Sequence, residues 1–195
     1  DTVIQSLKSG VVPRVGLQHI QVGRSQELLS FIKDIDNIKD GGTSFRFVIG
    51  EYGSGKTFFI QLVKSIALEK GLVTFNADLS PNRRLHASEG QARTLFSELI
   101  VSASTRTKQD GNALTNILEK FIAGAQEKAE SQNKSVSDVI YQKLKEVKEL
   151  VGGSDFSKVI EQYWIGYDTC DDNLKDCAIR WLKAEKKKKT DALKD

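Results

Sequence analysis

Residues Gly50-Glu51-Tyr52-Gly53-Ser54-Gly55-Lys56-Thr57 place three glycines, a lysine and a hydroxyl in a spacing that suits one kind of ligand. Gly50, Gly55, Lys56 and Thr57 fill every fixed position of the pattern G-x-x-x-x-G-K-[ST]. Glycines at 50, 53 and 55 let the backbone curl so that successive N–H groups point inward at an oxyanion. A helix opening at Lys56-Thr57 would add its partial positive charge. Lys56 is then expected to reach the outer phosphates of a nucleoside triphosphate, and the Thr57 hydroxyl to ligate Mg²⁺, a hard ion that prefers oxygen.

Such a loop works only between elements that hold it. Residues 45–49, FRFVI, read as a short strand running into the loop, and FFIQLVKSIALEK after Thr57 reads as a helix stopped by Gly71. LVTFNAD at 72–78 reads as a second strand. Strand, loop, helix and strand predict a right-handed βαβ unit and hence a parallel sheet. Upstream, Leu28, Leu29, Phe31, Ile32, Ile35 and Ile38 recur at helical spacing, so 26–39 is predicted to be a helix capped by Ser25 and ended by Gly41-Gly42. Residues 1–24 read as a loop-rich entry.

Beyond Pro81 the strand signal stops. Ser88-x-x-Gln91 is a capping box for a helix to about 104, and helices are expected near 112–131, 136–151, 155–167 and 172–188. The fold expected is therefore α/β: a P-loop head over 1–85 with a parallel sheet, followed by a large helical region over 86–195.

Hydrolysis of a triphosphate commonly needs an acid at the end of a further apolar strand. No run of four apolar residues followed by an acid occurs after residue 80. Asp78 is the nearest candidate for the metal shell, and a role as the cap of the Leu79-Ser80-Pro81 turn competes with it. No catalytic residue is therefore assigned, and the chain is expected to be the N-terminal part of a longer ATPase.

Composition narrows the class. Of 195 residues, 39% are hydrophobic and 28% charged, which describes a globular chain. The net charge of +3 sits in residues 182–195, where six lysines face three acids, so the remainder is neutral and no broad nucleic-acid-steering field is implied. No run approaches the ~20 apolar residues that span a bilayer, and the N-terminus lacks a secretory pattern. Cys170 and Cys177 match neither a redox nor a zinc spacing and are expected as reduced thiols in the cytoplasm. The chain contains no Met, so Asp1 is not expected to be the natural start.

Val22-Gly23-Arg24-Ser25-Gln26-Glu27 resembles the hGRxxE box that opens many AAA+ and STAND-type ATPase domains. More particularly, GVVPRVGLQHIQVGR, RFVIGEYGSGKTFF, ALEKGLV, ADLSPNRRLH, ELIVSASTRTKQDGNAL and RWLKAEKKKKTDALKD resemble the ATP-binding proteins of bacterial BREX phage-defence systems, the BrxC/BrxD-like group. The resemblance implies ATP and Mg²⁺ as ligands, with Val22, Gly23 and Arg24 lying against the base. It also implies a larger defence complex or homo-oligomer, and DNA as a possible partner of the full assembly.

Other residues have plainer readings. Arg83 and Arg84 read first as solvated loop arginines, with contact to phosphates or to a neighbouring subunit as the alternative. Tyr163, Trp164, Tyr167 and Trp181 read as core or interface anchors. Lys186–Lys189 reads as a wet helix face, and His19 and His86 are isolated. Two further functions stay open: a nucleotide-gated switch or scaffold that does not hydrolyse ATP, and a small-molecule phosphotransferase.

Overall fold

The computed structural model describes residues 2–10, 16, 20, 22–81, 83, 84, 86, 91–150 and 153–185. Its helices are α1 Thr2–Lys8, α2 Ser25–Lys39, α3 Lys56–Glu69, α4 Gln91–Val101, α5 Leu114–Gln132, α6 Val136–Lys148, α7 Gly153–Asp168 and α8 Asp172–Leu182. The chain divides into two compact units, Asp1–Thr74 with Thr105–Thr107, and Phe75–Ser104 with Lys108–Asp195.

The expected α/β architecture is not formed. Among the described residues there is no strand and no sheet: of the two segments read as strands, 45–49 carries no bridge and 72–78 carries only a single-residue bridge at Thr74. An isolated antiparallel bridge, Ser80 to Arg83, merely closes the turn at Pro81. A strand exists by virtue of the neighbour that takes its N–H and C=O groups, and a two-stranded pair alone is marginal in water. Among the described residues after Pro81 no third strand is supplied. The apolar run FRFVI thus stays extended and unpaired, with Phe45 at 81% and Ile49 at 91% exposure.

Side chains hold that run instead. Arg46 pairs with Asp34 of α2 and lies 5.2 Å from the Phe31 ring centroid. Asn37 Nδ2 donates to the Thr43 carbonyl at 3.1 Å. The Arg46 guanidinium, by its hydrogen bond above all, keeps the Asp34 carboxyl below its ordinary range.

In the first unit α2 and α3 pack through Ile35, Phe59, Leu62 and Leu68, with Phe31 meeting Phe59 edge-on at 5.2 Å. Gly41 and Gly71 follow these helices with φ of 89° and 85°, the left-handed stop that glycine accepts. Two local expectations change. Ser25 is the first residue of α2 and not its cap; Arg24 takes that position with no side-chain cap bond. The entry segment also holds α1, whose Val3, Ile4 and Leu7 already carry helical spacing.

The second unit is a helical bundle. Leu114, Leu118, Ile122, Ala125 and Ala129 form one stripe of α5, meeting Val139, Ile140 and Leu144 of α6 and Val159, Ile160, Tyr163 and Trp164 of α7. Ala178 and Leu182 bring α8 onto the same core. Ser135 caps α6 by accepting from the Asp138 N–H at 3.0 Å, and Asp171 caps α8 by accepting from Asn173 and Leu174. Trp164 Nε1 donates to Ser137 Oγ at 3.3 Å, so the anchoring reading of this tryptophan includes a polar partner. Burial raises the Tyr163 hydroxyl above its ordinary pKa.

Candidate functional site

The loop from Gly50 to Gly55 passes directly into α3, so its shape is set by the helix it enters. Gly53 and Gly55 hold φ of 81° and 82°, a conformation that side-chain-bearing residues adopt at a cost of about 1–2 kcal/mol. Ser54 N–H donates to the Glu51 carbonyl at 3.2 Å, and Phe59 N–H to the Gly55 carbonyl at 3.0 Å. Gly50 is needed for a different reason: a methyl there would stand 2.6 Å from Ser54 Oγ. That hydroxyl is buried and has no hydrogen-bond partner among the described residues.

Lys56 turns back along the loop. Its Nζ donates to the carbonyls of Gly50 at 2.8 Å and Glu51 at 2.7 Å, so the cation lies over the loop it follows. Thr57 is exposed at the start of α3, and Glu51 and Tyr52 form the exposed rim. The first amides of α3 carry the partial positive charge of a helix N-terminus.

Beside the loop lies an open cleft of about 410 Å³ lined by Ile20, Val22, Arg24, Ser54, Gly55, Phe58 and Phe59. Its size falls in the range of small-ligand sites, and its walls are mainly apolar with one guanidinium. Arg24 crosses it: Nη2 donates to the Ser54 carbonyl at 2.6 Å, and the guanidinium carbon is 5.9 Å from the Phe59 ring centroid.

The first unit therefore brings Val22, Arg24, Ser54 and Gly55 to one cleft, contiguous with Gly50, Lys56 and Thr57. Gly23 sits between Val22 and Arg24 with φ of 74°, turning the chain at the cleft edge. Asp78, the weaker metal candidate, belongs to the second unit and is exposed. Among the described residues no three His, Cys, Asp or Glu side chains gather as a metal site. Arg83 is engaged by Glu98 at 2.8 Å, whereas Arg84 and His86 are exposed. His19, the Ser88 capping box and Lys186–Lys189 lie outside the described residues. Sequence reasoning did not assign Ile20, Phe58 and Phe59 to the cleft; the signal available was the Phe58-Phe59 pair in the first turn after the lysine.

Comparison with known families bears on what this loop and cleft belong to. Residues 1–195 match the family model described as BREX system ATP-binding protein BrxC/D, and the chain belongs to that family. A search of the curated proteins found no match, and a search of the solved structures found none. No helix among the described residues is long and apolar enough to cross a membrane.

Proposed function

We propose that this chain binds Mg-ATP, with the phosphates in the Gly50–Thr57 loop and the adenosine along the Val22–Arg24 cleft. The observation that carries the reading is the loop itself: left-handed Gly53 and Gly55 enter a helix N-terminus while Lys56 Nζ lies over the loop carbonyls. The residues fit the ligand on two further counts. A side chain at Gly50 would fill the space beneath the loop, and the buried Ser54 hydroxyl has unused hydrogen-bonding capacity.

In this reading Lys56 would turn from the loop carbonyls to phosphate oxygens, and the Thr57 hydroxyl would hold Mg²⁺. The ion would neutralise phosphate charge when bound. The apolar walls at Val22, Phe58 and Phe59 exclude water from one side of the base. Family membership supports ATP over other triphosphates and supports action within the BREX system. We place the chain, on the same support, in the cytoplasm as part of a larger phage-defence complex, with a homo-oligomer or DNA as further partners.

Isothermal titration of the chain with Mg-ATP tests this reading. Lys56→Ala removes charged hydrogen bonds worth roughly 1.5–3 kcal/mol and should weaken binding about ten- to a hundredfold. Equal affinities for the two proteins would refute the site.

A further inference from the structure

Arg24 stands in an unusual place for an arginine. It occupies the cap position of α2 in the left-handed region, φ 55° and ψ 26°, directly after Gly23 at φ 74°. Serine, threonine, aspartate or asparagine commonly hold that position and cap the helix with a side-chain oxygen. Arginine offers no such cap, and left-handed backbone in a non-glycine residue persists only where its surroundings determine it. The compensating contacts are the bond from Nη2 to the Ser54 carbonyl at 2.6 Å and the approach to Phe59.

The bond to Ser54 acts on the phosphate loop through peptide geometry. In a planar trans peptide the C=O and the following N–H point in opposite directions. Holding the Ser54 carbonyl toward Arg24 therefore turns the Gly55 N–H the other way, away from the guanidinium. That N–H has no hydrogen-bond partner among the described residues, and it adjoins the open amides at the start of α3. Phe59, the second contact, lies in the first turn of α3, so Arg24 touches the chain on both sides of Gly55.

We propose that Arg24 is a positioning residue for the polyphosphate: by holding the Ser54 carbonyl it orients the Gly55 amide as an anion donor. It is thereby distinct from a residue that reads the base. The proposal rests on the nucleotide reading above and adds the route by which the Val22–Arg24 turn shapes the phosphate loop.

The discriminating probe is a ligand with phosphates and no base. Titrations of the chain with Mg-ATP and with magnesium tripolyphosphate are compared for the unaltered protein, Arg24→Asn and Arg24→Lys. Asparagine tolerates the left-handed backbone, so Arg24→Asn removes the guanidinium with little added strain. Its affinity for both ligands should fall by the same factor, about tenfold, as for loss of one charged hydrogen bond. Arg24→Lys keeps a cationic donor and should recover part of the loss for both. The amide resonance of Gly55 should shift in the ligand-free Asn variant. Loss of ATP affinity with tripolyphosphate affinity unchanged would overturn the proposal and make Arg24 a base contact. If Arg24→Asn loses helical circular dichroism, the Lys variant carries the comparison, and unequal factors for the two ligands overturn it there. An unaltered chain that binds neither ligand would overturn the nucleotide reading as well.

Discussion

Replacing Gly50 by alanine should damage the phosphate loop through one identifiable neighbour. The added methyl would lie 2.6 Å from Ser54 Oγ, 3.4 Å from Ser54 Cβ and 3.7 Å from Lys56 Cγ. The last two are tolerable contacts and the first is a clash, so the loop must open or the Ser54 side chain must leave its buried position. Overpacking of this kind costs about 1–3 kcal/mol, equivalent to an affinity loss of about five- to 150-fold if the closed loop is the binding form. Deleting the hydroxyl by Ser54→Ala removes the clashing atom and leaves the nearest contact at 3.4 Å. The two substitutions should therefore be strongly non-additive: Gly50→Ala weakens Mg-ATP binding in the native background and far less in a Ser54→Ala background. The four dissociation constants of this cycle, measured by isothermal titration, give the coupling directly, expected at about 1–2 kcal/mol. Additive effects would refute the loop geometry described above, because Gly50 would then have lost affinity for a reason unconnected with Ser54.

Three further outcomes follow from contacts elsewhere. The Asp34 carboxyl is held below its ordinary pKa of 3.8 by Arg46, so its stabilising contribution is present above that value and is lost as pH falls through the lowered one. Asp34→Asn should flatten the acid limb of first-unit unfolding, followed by hydrogen exchange of α2 amides; an unchanged limb would mean the pair does not form. In the second unit, a methyl at Gly166 would sit 3.0 Å from the Asp171 carbonyl and 3.1 Å from the Lys175 nitrogen, both backbone, so α7 and α8 would have to separate. Gly166→Ala should destabilise the bundle by about 1–3 kcal/mol in urea unfolding read by tryptophan fluorescence, and a neutral result would contradict that close approach. Ile122, 1% exposed at the centre of the same core, should lose about 2–5 kcal/mol on substitution by alanine, with the midpoint in urea as the measure.

The helices were legible because their information is local. Leu114, Leu118, Ile122, Ala125 and Ala129 repeat at helical spacing, and α5 runs Leu114–Gln132 against an expected 112–131. Helix ends were less legible: the expected 136–151 stops at Lys148, and the expected 172–188 stops at Leu182, where Ala184 turns left-handed at φ 55°. The sheet failed for the opposite reason. An apolar run such as FRFVI states that a segment is extended, while its pairing depends on a partner elsewhere in the chain. The turns at Gly53 and Gly55 into α3 were legible because glycine accepts the left-handed backbone they require. The reach of Arg24 to Ser54, thirty positions away, was not, since nothing in the spacing of VGRSQE specifies where a long side chain ends.

Amide hydrogen exchange with and without Mg-ATP tests the central claim most directly, because it reads the loop backbone itself. The account predicts slowed exchange at Gly53, Gly55, Lys56 and Thr57, with Lys56→Ala removing the protection at the same nucleotide concentration. Unchanged exchange across 50–57 at a saturating concentration, or protection confined to another segment, would contradict it.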